Sequence, residues 1–171
     1  YIVAIRASIT FVFLFFILLI TDRNKLKIKL KDFWCFLGSG ILSVVFFNFC
    51  YFKAIVITSL SVAAILLYTA PVFVMIMSRI IFKEKITGKK ILSIILTFIG
   101  CIFVTGIING GALSVPGIIT GLGAGFGYAL YSIFSRFALN KGYSSITITF
   151  YTFLIAAIGV LPFIDLNKDI F

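Results

Sequence analysis

The stretch Arg23-Asn-Lys25-Leu-Lys27-Ile-Lys29-Leu-Lys31 decides the fold, because long apolar runs flank it at about residues 1–20 and 34–57. A second basic cluster (Arg79, Lys83, Lys85, Lys89 and Lys90, with Glu84 among them) follows two apolar runs later, and a third (Arg136 and Lys141) two runs after that. Twelve of the 15 cations fall in these clusters. A chain that crosses a bilayer twice returns to the side it left, so pairs of spans put all three clusters on one side. A soluble domain would spread such charges over its whole surface.

Composition agrees. Of 171 residues, 62% are hydrophobic and 12% charged, against roughly 45–50% apolar and about 25% charged in ordinary soluble domains. Too few polar residues are present to cover a soluble globule of this size, and the chain falls in the membrane class. The net charge of +10 raises nucleic acid as a partner. However, the cations lack the aromatic interleaving of a nucleic-acid-binding face, and loops facing anionic membrane lipid account for them. Nucleic acid is not an expected partner. Membrane lipid is, and the oligomeric state is not readable.

A helix needs about 20 apolar residues to cross the hydrocarbon core. Six candidates stand at about 1–20, 34–57, 60–82, 91–108, 116–138 and 146–164. The runs are continuously apolar and too long for barrel strands of about 10 alternating residues. The expected fold is therefore all-α, a polytopic bundle of transmembrane helices. The positive-inside rule assigns loops 21–33, 83–90 and 139–145 to the cytoplasm. Residues 58–59, the uncharged linker 109–115 and the tail with Asp165, Lys168 and Asp169 then lie outside. Thr87 is placed to cap the fourth helix. Tyr1 opens inside an apolar run with neither initiator Met, basic n-region nor a following cleavage site, which reads as a chain starting within a membrane helix. An odd number of spans then precedes it if the native N-terminus is cytoplasmic. Cys35, Cys50 and Cys101 have no metal-ligand or disulfide spacing and read as reduced thiols.

Arg6 and Lys53 are the two cations that lie outside the clusters, the loops and the outer tail. Both count toward the outer half, roughly 22 and 28 Å from the inner end at 1.5 Å per residue. Intramembrane charge faces a bundle interior or a wet cavity by default, where two cations favour an anionic or carboxylate-bearing substrate. Two plainer readings stay open: Lys53 snorkels to the outer headgroups, and Arg6 pairs with helix carbonyls. A helical wheel joins Lys53 to Ser39, Ser43, Phe46 and Cys50 and sets Asn48 opposite.

In 116–138, Gly117, Gly121, Ala124, Gly125, Tyr128, Tyr131, Ser132 and Ser135 share about a third of the circumference. The glycines read as a tight helix seam or as cavity wall, and Tyr128, Tyr131 and Ser132 equally as packing or pathway lining. Pro71, mid-span, removes a backbone donor and crowds the preceding turn, and Tyr68 and Thr69 lie beside the bend it predicts. Substrate sites often gather at such irregular midplane helices. No His occurs in the chain and no Asp or Glu lies inside a span, so nucleophile–base pairs, metal ligands and a carboxylate proton relay are all missing. No enzyme, metal site or cofactor is expected. The glycine-rich run 121–127 has neither the preceding strand nor the spacing of a dinucleotide loop.

The stretch Phe46 to Gly106 resembles the EamA-type family of the drug/metabolite transporter superfamily. The matching residues are Phe52-Lys53-Ala54-Ile55, Thr58-Ser59-Leu60-Ser61-Val62-Ala63-Ala64, Pro71-Val72-Phe73, Phe82-Lys83-Glu84-Lys85-Ile86-Thr87 and Ile99-Gly100-Cys101-Ile102-Phe103-Val104. Their order and spacing carry the likeness more than any single motif. The segment Gly121 to Arg136 is similar to the opening span of the family's second repeat, and Arg6 matches a basic residue of the second span. The resemblance implies a ten-span inverted-repeat carrier in a bacterial cytoplasmic membrane. Residues 1–108 would be spans two to five of the first repeat, 109–115 an outer linker, and 116–171 the start of the second repeat. It implies export of a small-molecule substrate, a small organic metabolite such as an amino acid, by alternating access, and the charge, kink and stripe described above make Arg6, Lys53, Tyr68, Pro71, Tyr128, Tyr131 and Ser132 the candidates for its pathway. Tyr128 stands where the family often has Trp, and the membrane Glu of the four-span multidrug branch is absent from the sequence. Direct comparison of 1–20 with 146–164 finds only a shared Ile-Thr-Phe, at chance level for so apolar a background. The alternative reading is a structural or accessory membrane subunit whose polar stripes are packing seams.

Overall fold

The computed structural model describes residues 2–21, 23–105 and 114–160. Tyr1, Asp22, most of the 109–115 linker, the last positions of the 146–164 span, the charged tail and the side chain of Cys101 lie outside that description. Among the described residues six helices form: α1 Ile2–Thr21, α2 Leu30–Ile57, α3 Leu60–Phe82, α4 Gly88–Thr105, α5 Val115–Asn140 and α6 Ser145–Val160. Each coincides with one expected span. By length and composition α2, α3 and α5 are each long and apolar enough to cross a membrane, while α1 and α6 carry shorter apolar stretches, Ile5–Ile20 and Ser145–Val160. The fold is a helical membrane bundle.

Serines start three of the helices. The Ser59, Ser114 and Ser144 hydroxyls accept the amides of Val62 (3.2 Å), Gly117 (3.2 Å) and Thr147 (3.3 Å). Each satisfies a first-turn donor that a helix leaves orphaned. Thr87 begins α4 through its carbonyl, which accepts from Lys90 at 3.0 Å and Ile91 at 3.3 Å. At the end of α5, Gly142 takes a positive φ of 89°. Gly142 N–H then bonds Leu139 O and Tyr143 N–H bonds Ala138 O, the paired bonds of a Schellman stop.

The chain divides into two compact units, residues 1–45 with 134–171 and residues 46–133. The division falls within α2 and α5. In the first unit α6 packs along α1, with Phe150 against Phe11 (ring centroids 5.2 Å apart), and along the first half of α2. Its core is Cys35, Phe36, Ala138, Ile148 and Ile155. Phe36 has no exposed surface and meets the Tyr143 and Tyr151 rings, each at 5.3 Å. Ser39 and Thr152, both buried, hydrogen-bond through their hydroxyls at 2.6 Å, so neither polar group is left unsatisfied in an apolar interior.

A polar clasp closes one end of this unit. Asp32 accepts from Lys141 Nζ at 2.5 Å and from the Tyr143 hydroxyl at 2.8 Å, and that hydroxyl accepts the Lys29 amide at 3.1 Å. The Lys141 ammonium also lies 5.1 Å from the centre of the Trp34 ring. Lys141 and then Tyr143 hold the Asp32 carboxyl below the usual carboxylate range, and Asp32 raises the Lys141 ammonium. Burial, with the Asp32 carboxylate adding to it, raises the Tyr143 phenol. The clasp ties loop 21–33 to 141–144, so these two loops share one end of the unit, as the span count requires.

The expected wheel of α2 fails at one point. Ser39, Ser43, Asn48 and Cys50 are buried, whereas Phe46 and Lys53 are exposed. Gly38–Val45 is π-helical, and the Ser43 hydroxyl donates back to Gly38 O five residues earlier at 3.1 Å. A π turn advances less per residue than the α-helix, so every residue after Val45 is rotated from its expected face. Asn48 therefore joins the interior and Lys53 leaves the serine stripe.

Candidate functional site

The second unit is built around the glycine face of α5. A Cβ on Gly121 would strike the Leu66 side chain, and one on Gly125 would lie 2.5 Å from Thr69 Oγ1 and 3.1 Å from Leu66 O. On another face, a Cβ on Gly127 would stand 3.1 Å from the Phe47 backbone. Glycine alone lets α3 and α2 approach this closely. The seam reading thus holds for Gly121 and Gly125, and Gly127 adds a second close approach that the stripe did not include.

Against this seam α3 breaks. It runs as Leu60–Leu67 and then Ala70–Phe82, joined through Tyr68 and Thr69. The Thr69 amide turns to Leu66 O at 3.1 Å, the Thr69 hydroxyl donates to the same carbonyl at 2.6 Å, and Val72 N–H returns to Thr69 O at 3.0 Å. Pro71 lies in the first turn of the second segment, where its missing N–H costs nothing. The bend expected at Pro71 is therefore a full interruption just before it.

Beside the second segment opens a cavity of about 420 Å³. One wall is the α3 stripe Ala70, Pro71, Val74, Met75 and Ser78, with Glu84 from the turn that follows. The other walls are Lys90, Ser93 and Ile94 of α4, and Tyr128 and Ser132 of α5. Apolar groups dominate, with four hydroxyls and one acid–base pair among them. Lys90 Nζ meets Glu84 Oε2 at 3.0 Å. The α3 stop fixes Glu84: Lys83 takes the left-handed conformation (φ 54°), and the amides of Lys83 and Glu84 both turn back to Ser78 O.

Of the seven candidate residues, Pro71, Tyr128 and Ser132 come together at this cavity. Tyr128 is half exposed, and its ring meets Phe47 edge-on at 5.9 Å. Tyr68 lies exposed at the α3 interruption, Tyr131 is half-buried on α5, and neither lines the cavity. Lys53 is exposed on α2, and Arg6 is exposed on α1 in the other unit. Sequence reasoning missed Ser78, Ser93, Glu84 and Lys90 as lining residues. The signal was present: Pro71, Val74, Met75 and Ser78 recur at helical spacing, as do Lys90, Ser93 and Ile94. In the sequence, Glu84 stands out within the basic turn and the family-like motif and Lys90 within the basic cluster, and neither points to a cavity.

The comparisons with known proteins bear on these features. The chain is similar to an uncharacterized transporter of Archaeoglobus fulgidus, 29% identical over 138 residues, covering 81% of this chain and 49% of the relative. It is similar to the uncharacterized transporter YyaM of Bacillus subtilis, 29% identical over 154 residues (85% and 48%), and to an uncharacterized transporter of Clostridium kluyveri, 33% identical over 147 residues (81% and 47%). The chain spans about half the length of the curated relatives it matches. No solved structure matches it. The EamA-like transporter family matches residues 1–106 and 115–171, so the chain belongs to that family and is a multi-pass membrane protein.

Proposed function

We propose that this chain is part of a carrier that exports a small organic metabolite, such as an amino acid or a related compound, across a bacterial cytoplasmic membrane by alternating access. The observation that carries the reading is the open cavity beside the interrupted helix α3, with hydroxyls set in an otherwise apolar wall. Such a site binds by a few placed polar groups within an apolar enclosure, and nothing in it performs covalent chemistry. Tyr128 and Ser132 contact the solute and Pro71 keeps the second α3 segment free of the first. Arg6 and Lys53 attract a negative group of the substrate on the outer side, and loops 21–33, 83–90 and 139–145 face the cytoplasm.

The test uses the full-length carrier. A thermal-shift screen of amino acids and other metabolites selects a ligand, and flux of that ligand is then measured in proteoliposomes. Transport that falls with Ser132→Ala and Tyr128→Ala, with insertion unchanged, supports the cavity as pathway. Normal flux in both variants excludes it. Arg6→Gln and Lys53→Gln are expected to impair transport, and normal flux in both removes them from the outer vestibule.

A further inference from the structure

The carrier reading does not use the most unusual property of the cavity, its charge balance. Residues 46–133 contain the single acid Glu84 against the cations Lys53, Arg79, Lys83, Lys85, Lys89 and Lys90. That acid is the one that faces the cavity, and it holds the one cation that also faces it, at 3.0 Å. Glu84 is not on a freely moving loop. The left-handed Lys83 and the bond from the Glu84 amide to Ser78 O, at 3.4 Å, set it at the end of the cavity wall. Arg79, Lys83, Lys85 and Lys89 lie within five residues of it along the chain and are exposed.

We propose that Glu84 sets the charge selectivity of this cavity. By holding the Lys90 ammonium it keeps the cavity neutral, so that the cavity takes small solutes of zero net charge and does not collect anions from its cationic surroundings. The inference rests on the cavity being open to solute, as the proposed function requires. Without the Glu84 carboxylate, Lys90 faces the cavity unpaired, and the four flanking cations add to it. A cleft lined by one sign of charge raises the local concentration of the opposite sign by tenfold or more. Without the Lys90 ammonium, the carboxylate remains and the local potential becomes less positive.

Thiol labelling measures this without knowledge of the substrate. The full-length carrier is made free of native cysteines and given one reporter, Ser93→Cys on the α4 wall or Ser132→Cys on the α5 wall. Ser61→Cys, at the exposed start of α3, serves as the control. Each is modified with an anionic sulfonatoethyl and a cationic trimethylammonium methanethiosulfonate, and the two rates are taken as a ratio. Glu84→Gln is expected to shift the cavity ratio toward the anionic reagent by about tenfold at low salt. Lys90→Gln should shift it toward the cationic one, and the exchange of both charges, Glu84→Lys with Lys90→Glu, should restore the parent ratio. The Ser61→Cys ratio should stay constant throughout. Reactive cavity thiols whose ratio Glu84→Gln leaves unchanged overturn the charge role and leave the carrier reading standing. Cavity thiols that neither reagent reaches defeat both.

Discussion

Among the described residues, each compact unit shows an acid bonded to a lysine, and the two pairs have little else in common. Asp32 and Lys141 belong to a clasp in which Tyr143, Trp34 and the Lys29 amide also take part, above a core centred on the wholly buried Phe36. Glu84 and Lys90 are more exposed, 31% and 49% against 14% and 33% for Asp32 and Lys141, and they border open space. The same chemical pair therefore joins two loops in one place and sets a local potential in the other. What surrounds a salt bridge, not its length, decides which.

The contrast is open to attack by substitution, beginning in the interior of the first unit. Phe36→Ala should cost about 3 kcal/mol or more, since it opens a void among Tyr143, Tyr151 and the buried apolar residues. Met75→Ala on the cavity wall should cost under about 1 kcal/mol, because its side chain borders space that is already open. Equal losses in thermal unfolding of the detergent-solubilised carrier would erase the distinction between a packed unit and a cavity-bearing one. Tyr143→Phe comes next. It removes the donor to Asp32 and the acceptor of the Lys29 amide, a loss of about 1 kcal/mol with faster hydrogen exchange at Lys29. Glu84→Gln should change stability by less than about 0.5 kcal/mol.

The smallest effect is that of pH on the clasp. The Asp32 carboxyl is depressed, so its contribution is complete above the usual carboxylate value of about 4 and is lost as pH falls through the lower folded value. The Lys141 ammonium is raised, so its contribution is complete below about 10.4 and is lost as pH rises through the higher folded value. Trp34, the one Trp in this chain and adjacent to Lys141, reports both limits. Its emission, taken as the difference from Trp34→Phe, should stay flat through neutral pH and change only in acid below the carboxylate range and in strong alkali. A transition near neutrality would mean that the clasp is held by other groups.

Helix number and extent were legible because apolar run length is a one-dimensional property. The break beside Pro71 was legible because its cause is local, whereas the caps at Ser59, Ser114 and Ser144 were not read from the sequence. The shared end of loops 21–33 and 141–144 followed from counting spans, and the Asp32–Lys141 bond agrees with it. The glycine face of α5 was visible as a stripe, although its partners Leu66, Thr69 and Phe47 lie on other helices and no spacing names them. The cavity was only partly legible. Pro71, Tyr128 and Ser132 stood out by type, whereas Ser78 and Ser93 look like ordinary helix serines until α3 and α4 face each other. Glu84 and Lys90 were hidden by a better-known use of charge, since a basic turn explained by sidedness invites no second explanation. The burial of Asn48 was out of reach because a wheel drawn at constant pitch cannot show a change of pitch.

That change of pitch gives α2 an internal phase boundary. A saturation substitution scan along the helix should produce two separate waves of tolerance, one before Gly38 and one after Val45, each with the ordinary period and offset from the other. A one-residue deletion within 38–45 would let the helix regain uniform winding and swing Asn48 and Lys53 to new faces without altering either residue. Among relatives of this chain, a single-residue gap at that point would therefore carry more structural meaning than many substitutions. Sequence alignments that slide past it would pair residues looking in different directions.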